Sequence, residues 1–338
     1  MFYISLNLPL INLTTGFQTN MLDIFFKTFN SNAFALIQVL LIALAGAVLV
    51  RKKIFKSSDV KGLSLVIINV LLPSMIFSKI ITNLDPKSFP LWWMLPLVGI
   101  GLIAVGILFA VLLFYRDLPA KRTLLPIASM QNAGYLALPL GHAVYPEQFD
   151  LYALYVFLII MGVNPILWSV GKFLSTGGKF VEFSWKQFIT PPFIANLTGI
   201  IFVLTGLHHF IPKVVFNAID LTGSATVPLA NFVLGAVLGG ISLRVWPTFS
   251  DMIRTLGVKF LIIPIVTVFV MFLLNLRETN SLLSDVILIQ AVSPPAIGIL
   301  IQIKNYGGDE QESGSLLLIS YAICIVVIPF WMALWKVI

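Results

Sequence analysis

The chain has 338 residues, of which 59% are hydrophobic and only 10% are charged, and its mean hydropathy is +1.00. Soluble domains carry about 25% charged residues, so this composition excludes a soluble globular protein and predicts an integral membrane protein. The formal charge of +7 favours basic loops beside a membrane over nucleic acid binding. A single cysteine, Cys324, excludes an intramolecular disulfide and a cysteine metal cluster.

Residues 1–32 are predicted to form an N-terminal extension. No lysine or arginine occurs in residues 1–20, so the positively charged region of a cleaved signal sequence is missing. Residues 21–30 form a short amphipathic stretch, which is typical of a helix that lies at the membrane interface.

Apolar segments then follow one another, with short connections, to the end of the chain. A run of about 20 apolar residues spans a bilayer as a helix, and charged or turn-forming residues divide this sequence into ten such runs. We therefore predict an all-α integral membrane protein with ten transmembrane helices and no soluble domain. The predicted helices are 33–50, 62–82, 90–115, 122–145, 149–174, 188–211, 214–241, 253–275, 282–304 and 314–336.

The basic residues predict how these helices are oriented. If the connection after the first helix is cytoplasmic, fifteen of the 21 lysine and arginine residues fall on that side and six on the other. Cytoplasmic connections carry the excess of positive charge, so both termini are predicted to lie outside the cell membrane.

Proline spacing predicts an internal repeat. The separation between Pro73 and Pro139 is identical to the separation between Pro228 and Pro294, so the second pair repeats the first at a constant offset. A five-helix unit that occurs twice gives this pattern, and an odd number of helices inverts the second unit in the membrane. The predicted parts are a first unit at 33–174, a cytoplasmic linker at 175–187 and a second unit at 188–338.

The fourth and ninth helices occupy equivalent places in the two units, and both contain polar residues and helix breakers. A half-helix that begins after a break carries about half a positive charge at its N-terminus, so two such ends favour an anion without a buried lysine or arginine. We predict that the two broken helices cross and bind the substrate. The candidate residues are Gln131, Asn132, Gly134 and Pro139 in the fourth helix, and Gln290, Ser293, Pro294 and Pro295 in the ninth.

Asn132 is the central candidate, because its amide group donates hydrogen bonds to a carboxylate. It is expected about two helical turns before Pro139. In the alternative interpretation, the prolines only kink the helices and Asn132 bonds to a neighbouring helix.

Charged residues are absent from the centre of every predicted span, and Asp220 and Asp285 are expected near the interface. Intramembrane carboxylates usually carry coupling ions, so their absence disfavours obligatory proton antiport. Gly235 and Gly239 are expected to allow close helix packing. The sequence contains no phosphate-binding loop, zinc motif or activated nucleophile, so no enzyme activity, cofactor or metal is predicted.

Three motifs resemble the auxin efflux carrier family, which includes plant PIN carriers and bacterial dicarboxylate transporters. They are Asn132-Ala-Gly-Tyr-Leu-Ala-Leu-Pro139 in the fourth helix, Ser293-Pro294 through to Lys304-Asn-Tyr306 in the ninth, and Leu71-Leu-Pro-Ser-Met-Ile-Phe77 in the second. The resemblance covers about residues 33–336.

This resemblance implies a 5+5 inverted-repeat fold like that of NhaA and the bile acid symporters, with crossing fourth and ninth helices. It also implies a secondary transporter that moves a small organic anion by elevator-type alternating access, in a lipid bilayer and as a homodimer, with Asn132 contacting the substrate. Two alternatives remain open, which are a sodium-coupled organic-anion symporter on the same fold and an anion channel.

Overall fold

The computed structural model describes residues 13–175, 189–241, 245–306 and 310–338. The predicted linker 175–187 lies outside these residues except for Ser175, and the side chains of Lys304 and Tyr306 also lie outside what the structure describes. All regular elements in the described part of the chain are helices, which confirms the all-α prediction.

We number the main helices α1 to α12, and leave shorter turns unnumbered. The predicted fourth helix corresponds to α4 and α5, and the predicted ninth to α10 and α11. The helices are α1 Leu13–Arg51, α2 Ser57–Asn83, α3 Trp92–Phe114, α4 Leu124–Ser129, α5 Ala137–Val144, α6 Pro146–Ser175, α7 Pro191–Thr205, α8 Lys213–Gly239, α9 Phe249–Leu273, α10 Ser281–Val292, α11 Ile297–Tyr306 and α12 Glu310–Val337.

Seven of the described helices are long and apolar enough to cross a membrane, and α7 and α10 are shorter apolar helices. This pattern fits a multi-pass membrane protein. Helix α1 is 39 residues long, so residues 21–30 and the predicted boundary at residue 32 lie inside it. Asn32 does not interrupt the helix, because its side-chain amide donates to the Thr28 carbonyl at 2.9 Å.

Helices α1 and α8 pack closely through small residues, in agreement with the glycine spacing of the sequence. A Cβ atom on Gly239 would lie 2.5 Å from the Cα of Ala47, and one on Gly46 would overlap the backbone of Phe232. Asn231 in the same interface donates to the Val39 carbonyl at 2.7 Å. Close backbone contact of this kind depends on the absence of side chains at the glycine positions.

Prolines explain two of the three described π-helical segments, because Ile67–Leu71 precedes Pro73 and Val258–Ile262 precedes Pro264, whereas Leu167–Gly171 follows Pro165. A proline cannot donate to the carbonyl four residues earlier and clashes with it, and the wider π turn accommodates the change. In α9 the proline is Pro264, and the carbonyl four residues earlier belongs to Phe260. That carbonyl accepts a hydrogen bond from the Trp331 indole N–H at 2.9 Å.

Candidate functional site

The predicted fourth and ninth helices are each interrupted. Helix α4 ends at Ser129 and α5 begins at Ala137, while α10 ends at Val292 and α11 begins at Ile297. Each interruption leaves backbone groups without helical partners, so other partners are needed in a membrane.

Pro139 does not mark the first interruption. It is the third residue of α5. At that position a backbone N–H has no acceptor within the helix, so a proline, which lacks the N–H, is tolerated. Asn132 therefore lies in the irregular segment, and the prediction that it sits two helical turns before a break at Pro139 is wrong. The start of α5 precedes Pro139, whereas the start of α11 follows Pro294, so the constant proline offset does not align the two interruptions.

The two interruptions bond directly to each other. An isolated antiparallel bridge joins Gln131 and Pro295, although they are distant in sequence. The extended backbone on each side supplies partners for the other, so groups freed by the breaks are paired inside the protein. The bonds are from Asn132 N–H to the Pro294 carbonyl at 2.8 Å and from Ala296 N–H to the Met130 carbonyl at 3.1 Å.

Asn132 is held by two hydrogen bonds within this junction. Its side-chain oxygen accepts from the Tyr135 backbone N–H at 3.0 Å, which is an N-cap-like arrangement before α5. Its Nδ2 donates to the Tyr321 hydroxyl at 2.5 Å, and that hydroxyl donates to the Pro295 carbonyl at 3.3 Å. Since an amide carries two N–H groups, one N–H of Asn132 remains for another partner.

Tyr321 was missed by the sequence analysis. It lies on α12, far from Asn132 in sequence, and it is 4% exposed. A tyrosine hydroxyl that is buried needs a polar partner, so an isolated tyrosine inside an apolar predicted span was the available signal.

Gln131 and Gln290 are both buried, but they differ in their partners. Gln290 donates from Nε2 to the Ala133 carbonyl at 2.9 Å, which ties α10 to the first interruption. The Gln131 Nε2 and the Gln290 Oε1 have no hydrogen-bond partner in the described part of the protein. Buried polar groups without partners cost free energy, and such groups beside a helix break are available to a ligand.

The other predicted site residues are buried or bonded within their own segments, apart from the partly exposed Gly134. Ser293 is fully buried, and its hydroxyl donates to the Ile289 carbonyl at 2.7 Å at the end of its own helix. Gly134 lies in the first interruption with partial exposure, and Pro139, Pro294 and Pro295 are buried. The structure therefore brings Gln131, Asn132, Gln290, Pro294 and Pro295 together.

A cleft of about 430 Å³ lies between α1, α2, α5, α6 and α8, and Pro139 and Asn231 line it. Lys79 also lines the cleft and forms ion pairs with Asp150 at 3.0 Å and Asp220 at 3.2 Å. The cleft therefore contacts the second half of the interrupted α4–α5 pair and carries charge on its wall.

Asp285 lies on α10 and is 2% exposed. Its Oδ2 accepts from the Lys336 ammonium and the Tyr145 hydroxyl, each at 2.8 Å. Buried ions need such compensation. These contacts connect α10 to the ends of α5 and α12.

Ion pairs also connect the segment before α4 to α9. Lys121 lies 2.6 Å from Asp251 and 3.5 Å from Glu312, and Arg254 lies 2.9 Å from Asp117. The hydrogen bond to Asp251 raises the pKa of Lys121 above its usual value, so this ammonium stays charged. Asp251 is therefore already paired with Lys121.

Lys259 lies closer to the middle of its helix than the sequence predicts, since the prediction places no charged residue at the centre of any span. It is the tenth residue after the start of α9 at Phe249, about 15 Å along the helix axis, and it is 1% exposed. The charge count along the sequence assigns it to the cytoplasmic side, at the beginning of the span.

Comparison with known proteins gives consistent matches over nearly the whole chain. The sequence pattern of a family described as membrane transport protein matches residues 33–180 and 179–332. An uncharacterized transporter of Methanothermobacter thermautotrophicus is 26% identical over 305 residues, covering 87% of this chain and 95% of the relative. An uncharacterized transporter of Methanocaldococcus jannaschii is 24% identical over 290 residues, covering 82% and 90%.

Proposed function

Because the chain belongs to the membrane transport protein family of auxin efflux carriers, we propose that it is a secondary transporter for a small organic anion and works by elevator-type alternating access. The family prediction is confirmed, and the protein is a multi-pass membrane transporter. The observation that carries the proposal is the direct junction of the two interruptions, which gathers neutral donor groups and no carboxylate side chain.

The proposed architecture treats α4 with α5 and α10 with α11 as two broken spans. The described helices then make ten spans, and the broken ones are the fourth and the ninth. We propose that residues 33–174 and 188–338 are inverted units, that both termini lie outside a cell membrane, and that the protein is a homodimer. Interrupted helices at matching places in two halves are characteristic of transporter sites.

In the proposed site, the anion lies beside the junction. The N-termini of α5 and α11 supply positive helix ends. The unpaired Nε2 of Gln131 and the second N–H of Asn132 supply hydrogen-bond donors. The cleft that Pro139 lines gives one route toward α5. These groups stabilise a bound anion, because lipid and apolar side chains offer it no hydrogen-bond donor.

The sodium-coupled alternative needs oxygen ligands at the junction. Three carbonyls there already accept hydrogen bonds, namely those of Met130, Ala133 and Pro294. Asp285, the carboxylate of α10, is bonded to Lys336 and Tyr145. The Gln290 Oε1 is then the one fully buried side-chain oxygen of the predicted site residues without a described partner. One such oxygen is too few for a sodium ion, so these contacts favour an anion at the junction.

Reconstitution into proteoliposomes tests the function. Uptake of labelled mono- and dicarboxylates and the accompanying currents are measured with and without sodium and with and without a pH gradient. Saturable carboxylate uptake without a sodium requirement supports the proposal. A strict sodium requirement supports the symporter, unitary non-saturating currents support the channel, and the absence of carboxylate transport overturns the proposal.

A further inference from the structure

Lys259 is a buried lysine without a counter-ion among the described residues. No hydrogen bond or ion pair joins its ammonium to any described residue, although it is 1% exposed. Burying a charge without a partner is costly, and a charged residue inside a membrane-spanning helix usually marks a function. The junction of the two interruptions does not use Lys259.

Among the described residues, the carboxylates on the helices around Lys259 form ion pairs with other lysines. The π-helical segment Val258–Ile262 packs against α3, α4 and α10, and Trp331 of α12 donates to its Phe260 carbonyl. Helices α3 and α4 contain no charged residue, and the carboxylate of α10, Asp285, is paired with Lys336. On α9 itself, Asp251 is paired with Lys121.

A second polar group without a partner lies on the same face of α9. Thr255 precedes Lys259 by four positions, so the two side chains share a helix face. Thr255 is fully buried, and its hydroxyl has no hydrogen-bond partner in the described part of the chain. A lysine side chain on a helix extends toward the N-terminus, which brings the ammonium to the level of Thr255.

This face of α9 lies next to the first interruption. A Cβ atom on Gly106 of α3 would lie 2.9 Å from Ile263, four positions after Lys259, and 2.7 Å from Ser129. Ser129 is the last residue of α4, directly before the interruption. Lys259 is thus about one turn from the contact between α9 and the end of α4.

We propose that Lys259 and Thr255 bind a carboxylate group of the transported organic anion, with the lysine supplying charge and the threonine a hydroxyl donor. This inference rests on the proposed function and extends it. The π segment widens the helix at this point, and an anion supplies the counter-charge that the protein lacks. In the empty protein, a charged Lys259 without a partner raises the free energy of the folded state.

Thermal unfolding of the purified full chain in detergent tests the site. The probes are malate and indole-3-acetate, compared with chloride at equal ionic strength. Lys259→Met removes the charge and keeps the length, Lys259→Arg keeps the charge, and Thr255→Val removes the hydroxyl. Lys87→Met, at an exposed lysine between α2 and α3, is the matched control.

The wild type is expected to be stabilised by at least one carboxylate probe over chloride. Lys259→Met is expected to unfold at a higher temperature than wild type without probe and to lose at least about tenfold in apparent carboxylate affinity, equivalent to about 1.4 kcal/mol. Lys259→Arg is expected to keep most of the shift, Thr255→Val to lose part of it, and Lys87→Met to behave as wild type.

An unchanged carboxylate shift in Lys259→Met, or no shift with either probe in the wild type, overturns the inference. If Lys259→Met does not fold, an unchanged shift in Thr255→Val overturns it. Uptake in proteoliposomes separates the two proposals. Wild-type uptake that Lys259→Met leaves unaltered rejects only the Lys259 site, whereas a Lys259-dependent shift without any uptake rejects only the transport function.

Discussion

The two interruptions are built differently. The first runs from Met130 to Leu136 and is held by side chains, above all Asn132, which bonds to Tyr135 and Tyr321. The second is shorter, and Pro294 and Pro295 fix its backbone. Proline limits the backbone by its ring, whereas an asparagine cap depends on a removable side chain. The first interruption is therefore the adaptable one, and the second is the rigid surface to which it bonds.

Asn132→Ala is expected to have the largest effect on transport. It removes the amide that accepts from the Tyr135 N–H in the turn before α5 and donates to Tyr321, and the loss of these hydrogen bonds is expected to cost about 1–3 kcal/mol. Saturable carboxylate uptake in proteoliposomes is expected to fall to background, while size-exclusion chromatography shows a folded protein.

The control is Asn217→Ala, at an exposed asparagine on α8. Wild-type uptake by Asn132→Ala would contradict both the proposed site and the importance of the first interruption.

Gln290→Leu and Gln131→Leu form a matched pair. Gln290 donates to Ala133 across the junction, so its loss is expected to cost about 1–3 kcal/mol in stability and to reduce uptake. The Gln131 amide nitrogen has no partner among the described residues, so its loss is expected to leave the unfolding temperature unchanged or raised, but to weaken the apparent affinity for the anion.

Unfolding temperature and the concentration for half-maximal uptake measure these two effects separately. Equal destabilisation by both substitutions would show that Gln131 is a structural residue rather than a free donor.

Tyr321→Phe is expected to have an intermediate effect. It removes the hydroxyl that links Asn132 to the Pro295 carbonyl, at about 1 kcal/mol for a hydrogen bond with neutral partners, and it keeps the ring. The unfolding temperature is expected to fall slightly, and the affinity for the anion to change more than the maximal uptake rate. Tyr115→Phe, at an exposed tyrosine after α3, is the control, and a complete loss of uptake in Tyr321→Phe would contradict the positioning role.

Pro295→Ala is expected to have the smallest effect. Without the proline ring the unfolded chain has more conformational freedom, so the free energy of unfolding is expected to fall by about 0.4–1 kcal/mol. The bridge between residue 295 and Gln131 is expected to persist. Hydrogen exchange is expected to increase in residues 293–296 more than in residues 130–136. The opposite order of exchange would show that the second interruption is not the rigid one.

The sequence predicted the broken helices because prolines and polar residues are rare enough in apolar spans to stand out. Pro294 and Pro295 do lie in the second interruption, since two consecutive prolines disfavour a helix before them. Pro139 misplaced the first interruption, because a proline in the first turn of a helix is compatible with it. There the chain leaves the helix at Met130, and Asn132 accepts from the Tyr135 N–H in the turn that follows.

Other parts of the site depend on contacts that no local pattern reveals. Tyr321 is adjacent to Asn132 only through packing of α12. Lys259 lies close to the charged residues that begin α9, so a count of charges along the sequence assigned it to the cytoplasmic side of the predicted span 253–275. Its burial follows from how α3, α4 and α10 surround the π-helical segment.

The bridge between Gln131 and Pro295 also has a consequence for biosynthesis. The backbone N–H of Asn132 finds its partner on Pro294, which the ribosome adds only after α5 to α10 have been synthesised. Until then, the first interruption has unpaired backbone groups in a nascent chain that is entering the membrane, where they are costly. We expect chains truncated before α10 to be unstable and rapidly degraded, and the interrupted helix to mature only after the C-terminal helices have been synthesised.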